Sequence, residues 1–229
     1  MDGARRIRVR LGPGAAPTIR RMSAHLPSGT ADPDAARELA RELLGDLGNR
    51  WEHTRAVAAQ AARAAAAVPP GQGPALRAAA WLHDIGYAAP LHDTGFHPLD
   101  GARFLQARGW DPLVVGLVAQ HSGARFVAEV RGLRAQLDAF GDPAFVLGAL
   151  PDALTYADQT ISADGHVVDV QTRHADMLRR HGPDSPSVRC HALRGPVLRA
   201  AVARTEARLV QRLPPPRPRD APARVDRSA

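Results

Sequence analysis

The chain has 229 residues, a formal net charge of +7, 45% hydrophobic residues but only 4% aromatics, and a single cysteine. That is enough apolar material for one well-cored domain, and Cys190 alone excludes both an intrachain disulfide and a thiolate cluster for zinc. The apolar content is mostly Ala and Leu, which favours helices over a sheet of β-branched and aromatic residues, so an all-α fold is expected.

The charge lies mainly at the ends. Residues 1–21 hold six Arg against Asp2, and residues 211–229 hold five Arg against Asp220 and Asp226, leaving the body near neutral. That distribution argues against a nucleic-acid partner. Apolar runs stop well short of the roughly 20 residues needed to span a bilayer, and the Arg-rich start lacks a signal-peptide core. The expectation is a cytoplasmic protein with no membrane partner.

In chain order, residues 1–29 and the Pro/Arg-rich 213–229 are expected to be disordered tails around a domain over 30–212, since both lack sustained periodicity. Thr30 or Asp32 can cap a first helix with Pro33 in its opening turn and an apolar face from Ala36 to Leu47, ended by Gly48. A second helix is expected over about Arg50–Val68, halted by Pro69-Pro70-Gly71, and a third from Pro74 to Gly86. A loop from Ala88 to Phe96 precedes helices over Pro98–Arg108, Pro112 to about His121, and Ala124–Phe140. A longer helix, kinked at Pro151, is expected from Pro143 to about Ser162. Val170–His181 and about Gly195–Leu213 complete a bundle.

The stretch Trp81-Leu82-His83-Asp84-Ile85-Gly86-Tyr87 carries the most chemistry, because an adjacent His-Asp pair ending an apolar helix offers a nitrogen and an oxygen donor to one point. His53, His97, His121 and Asp158 stand in or beside other helical segments, so several helices could direct imidazoles and carboxylates inward. His92, Asp93 and Asp100 read as loop residues or caps. His25, His166, His174, His181 and His191 read as surface or structural residues.

The pattern His53, His83-Asp84, Asp158, together with Leu-His-Asp-Ile-Gly and Tyr156-Ala157-Asp158-Gln159-Thr160, resembles the signature of the HD-domain superfamily over roughly Trp51 to Ser162. The resemblance implies an all-helical HD bundle in which His53, His83, Asp84 and Asp158 bind a divalent transition metal (Fe, Mn, Co, Ni or Zn). It also implies hydrolysis of a small phosphate ester or nucleotide, with Asp84 at the catalytic centre. His97 and His121 match the added histidines of two-metal members, with Asp84 bridging two ions. The chain departs from the cyclic-dinucleotide phosphodiesterase branch, having Tyr87 where that branch has Lys and no Gly-Tyr-Pro motif.

The chain has no lysine. Arginine side chains or helix N-termini are therefore expected to meet an anionic substrate, and Arg55, Arg103 and Arg125 lie near the motif residues. Two rival classes use the same residues: a mixed-valent diiron oxygenase, and a binding protein that keeps a vestigial site. A general acid is not assigned, although Asp100 or an outer-shell water could serve.

Overall fold

A computed structural model of the chain describes residues 31–212, and the tails expected at 1–29 and 213–229 lie outside them. Among the described residues the regular elements are all helical, apart from an isolated antiparallel bridge between Ile161 and Val167. The first helices are α1 (Pro33–Leu44), α2 (Asn49–Ala64) and α3 (Gly73–Leu82). Next come α4 (His97–Ala107), α5 (Pro112–Gln120), α6 (Ala124–Arg131) and the single turn α7 (Arg134–Leu137). They are followed by α8 (Ala149–Gln159), α9 (Val170–Arg180), the short α10 (Pro186–Arg189) and α11 (His191–Gln211).

Local chemistry sets the ends. Asp32 caps α1 by accepting the backbone N–H of Asp34, and Pro33 follows with its φ already suited to a helix. The buried face of α1, Ala36, Leu39, Ala40 and Leu44, rests against α3. Helix α3 is apolar almost all round, with Ala75, Leu76, Ala78, Ala79, Ala80 and Leu82 buried, because it also packs against α2, α5 and α8. Its alanines let the neighbouring backbones approach closely. The His-Asp pair at its C-terminal end is therefore delivered to the middle of the bundle.

Four sequence expectations fail locally. The first helix, expected to carry its apolar face to Leu47 and end at Gly48, stops at Leu44 with Gly45 as its C-cap, and Leu47 is exposed. The helix expected over Ala124–Phe140 breaks at Gly132, whose left-handed φ of 69° lets its N–H bond back to the carbonyls of Ala128 and Glu129. The helix expected from Pro143 begins instead at Ala149, so Pro151 sits in its first turn, where a missing N–H costs nothing, rather than at a mid-helix kink. The third helix stops at Leu82 rather than Gly86, with His83 as its C-cap and a 3-10 turn over Ile85–Tyr87.

Gly86 locks that turn to the start of α4. A Cβ built there would lie 2.1 Å from the carbonyl oxygen of His97, so any side chain must push α4 away. Gly86→Ala is expected to cost about 1–3 kcal/mol in urea unfolding. An unchanged unfolding midpoint would contradict this close approach.

Candidate metal centre

The bundle brings His53 of α2, His83 and Asp84 at the end of α3, His97 at the start of α4, His121 just after α5 and Asp158 of α8 to one place. All are buried except His97, which is partly so. His121 is aimed by an unusual backbone: Ser122 adopts a left-handed φ of 48° and Gly123 follows at 67°.

Three of the imidazoles are fixed from behind. The Nδ1 atoms of His53 and His83 each lie 2.9 Å from a backbone carbonyl, of Ser162 and Ala80, and the Nδ1 of His121 lies 2.6 Å from that of Val118. A carbonyl can only accept, so each Nδ1 carries the proton and each Nε2 presents a lone pair to the centre. There it meets other acceptors. His53 Nε2 is 3.1 Å from Asp158 Oδ1, His83 Nε2 is 3.3 Å from Asp84 Oδ2, and His121 Nε2 is 3.3 Å from His97 Nε2. The Nε2 of His83 is buried without any hydrogen-bond partner. Lone pairs held against carboxylates out of water call for a cation, either protons or a metal.

The carboxylates are oriented too. Asp158 Oδ2 accepts hydrogen bonds from the Ser122 hydroxyl and, at 2.8 Å, from Gln159 Nε2, which leaves Oδ1 for His53 and His83. Asp84 is divided between two groups: Oδ2 faces His83 and, at 3.8 Å, His53, while Oδ1 is 3.2 Å from His97 Nε2. Arg50 Nη1 donates to Asp84 Oδ2 at 2.5 Å, and the guanidinium carbon of Arg50 lies over the Tyr87 ring, 4.1 Å from its centroid. The donor atoms of His53, His83 and Asp84 lie within 4.8 Å of one another, and so do those of Asp84, His97 and His121. Asp84 thus belongs to two sets of possible ligands.

Burial alone would raise the carboxyl of Asp84, but the Arg50 guanidinium and His83 outweigh it and hold it well below the usual carboxylate range. Asp158 is likewise held low, with burial overcome by His53 and His83. Burial would lower the imidazole of His83, yet Asp84 and Asp158 pull it up. His121 is pushed down to about 3 by burial and by the neighbouring His83 and His97, so it is neutral at pH 7. The two carboxylates favour a positive charge at this position, which a divalent cation could supply.

This cluster forms one end of a cavity of about 180 Å³ that also exposes Arg50, Tyr87, Arg173 and Arg194. The three arginines expected from sequence are elsewhere. Arg55 is exposed and bonded to Glu52, and Arg103 reaches out to Asp93 and Gln136. Arg125 lies over the Phe126 ring in a separate cleft with Phe145 and Pro151. Asp100 is buried, but its oxygens accept the backbone N–H groups of Asp93, Thr94 and Gly95 and the Thr94 hydroxyl, so it tethers the 92–96 loop and does not line the cavity. His174 and His191, read from sequence as surface or structural, line the cavity, as does His181.

A family model described as HD domain matches residues 50–161. Comparison with curated proteins and with solved structures gives no match.

Proposed function

The chain belongs to the HD-domain superfamily through residues 50–161, and from that premise we propose that it is a metal-dependent phosphohydrolase acting on a small phosphate ester or nucleotide. One observation carries this reading: a buried His/Asp cluster with unsatisfied lone pairs closes a cavity whose other charged walls are arginines. His53, His83 and Asp84, joined by Asp158 through its Oδ1 beside His53 and His83, would hold one divalent ion, and Asp84 with His97 and His121 a second. Such ions, when bound, lower the pKa of water and polarise phosphoryl oxygens.

The chain's own part is positioning. The carbonyls of Ser162, Ala80 and Val118 keep three imidazoles in the ligating tautomer. Ser122 and Gln159 hold Asp158 so that a single oxygen faces inward. Arg50 stands nearest the cluster and would turn from Asp84 toward a phosphoryl group, offering a planar fork of donors.

Arg50→Ala is therefore expected to lower kcat/KM by roughly 10²-fold, and Arg50→Lys to recover only part of it, because an ammonium cannot form the paired contacts. Full kcat/KM in Arg50→Ala would remove Arg50 from the site.

The overall reading is tested by measuring metal content in protein purified without added metal. A panel of phosphomonoesters, phosphodiesters and nucleotides, assayed with Mn, Fe, Co, Ni, Zn and Mg, then follows. Metal-dependent phosphate release supports a hydrolase. Dioxygen consumption by the iron-loaded protein without phosphate release would select the diiron oxygenase, and a metal-free chain inert in both assays would select the binding protein.

A further inference from the structure

The part of the cavity lined by α9 and α11 has a different character. His174 is only 5% exposed, yet neither of its ring nitrogens has a hydrogen-bond partner, and the Nδ1 of His191 and the Nε of Arg173 are also buried without one. The His174 and His191 rings meet edge to face, 5.0 Å apart. Burial, reinforced by His191 and Arg194, pushes His174 down to about 4, so it is a neutral imidazole at pH 7 with an N–H still to give.

Two guanidiniums flank these rings. Arg194 spends its Nε on the carbonyl of Ser122 at 2.8 Å, and among the described residues no carboxylate forms an ion pair with Arg173 or Arg194. The acid nearest in sequence, Asp176, is engaged by Arg179 and Arg180 at 2.5 and 2.6 Å. Burial lowers Arg194, the charges of Cys190 and Asp158 oppose that, and the charge of Arg173 adds to it. Buried donors without acceptors, beside two guanidiniums that feel the charge of Asp158 without forming an ion pair with it, are costly until an anion takes them.

We propose that Arg173, His174, His191 and Arg194 form an anion subsite for a second phosphate group, so that the substrate is a small molecule bearing two phosphates, one at the His/Asp cluster and one at this subsite. That the bound anion is part of a substrate rests on the hydrolase reading. The anion site itself does not.

Inorganic phosphate is the probe. Titrated into the full-length, metal-stripped protein, in which Asp84 still holds Arg50, it is expected to bind once per chain and to shift the imidazole resonances of His174 and His191. Binding should weaken at least ~10-fold after Arg173→Gln, with Arg173→Lys intermediate. Melting curves check that the variants fold, and if Arg173→Gln does not, the His174 shift in the parent chain decides alone. No shift at millimolar phosphate, or binding indifferent to Arg173, would overturn the subsite. A chain that binds phosphate through Arg173 but hydrolyses no ester would keep the subsite and refute the hydrolase. Hydrolysis that shows no preference for bisphosphates over their monophosphate analogues would overturn the second-phosphate assignment.

Discussion

Asp84→Ala is expected to abolish metal binding at both ligand sets and to reduce phosphate-ester hydrolysis by at least ~10³-fold, the scale seen when a centre that must act as a unit loses a member. Its carboxylate is the one group common to both sets, with Oδ2 facing His53 and His83 and Oδ1 facing His97. The fold should survive. The core is built from residues such as Leu44, Leu76, Leu99, Leu117 and Leu154, none of which depends on Asp84. Circular dichroism should therefore retain the wild-type helical signal while metal analysis falls to background. Full metal occupancy together with full activity would show that the site has been misassigned.

The second large effect concerns nuclearity. His97→Ala and His121→Ala are each expected to lower metal content from two ions toward one per chain and to cut activity by about 10²-fold or more. His121 is neutral, with its Nδ1 proton committed to Val118, so its Nε2 is already a ligand in waiting. His97 stacks on Tyr87 with ring centroids 4.0 Å apart, and this holds it beside Asp84 Oδ1. One ion per chain in the wild type and in both variants would establish a mononuclear centre and count heavily against a diiron oxygenase.

The helical class and the His-Asp motif were legible because helical propensity and adjacency are local properties. His83 and Asp84 are neighbours in sequence, and the apolar run before them marks a buried helix. Helical phase was the readable signal that sequence reasoning passed over. Arg55 is two residues from His53, about 200° around the helix and so on the opposite face, whereas Arg50 is three residues away and shares the His53 face. The i−3 spacing could have found Arg50.

The α9–α11 end had no such signal. Arg173 and His174 lie in one helix and His191 and Arg194 in another, and only tertiary packing brings them to one cavity. The break at Gly132 and the late start of α8, where Gly148 takes a φ of 109° just before Ala149, were missed for a related reason: apolar periodicity continues through a glycine that the backbone uses to turn.

The most direct test of the central claim is anomalous diffraction from metal-replete crystals of the full chain, recorded at the absorption edge of the metal found in the purified protein. Two peaks bridged by Asp84 are expected. One should lie about 2.0–2.3 Å from donor atoms of His53, His83, Asp84 and Asp158, and the other at similar distances from His97, His121 and the second Asp84 oxygen. Well-ordered crystals with no peak at the cluster, and with these side chains turned away from one another, would contradict the account.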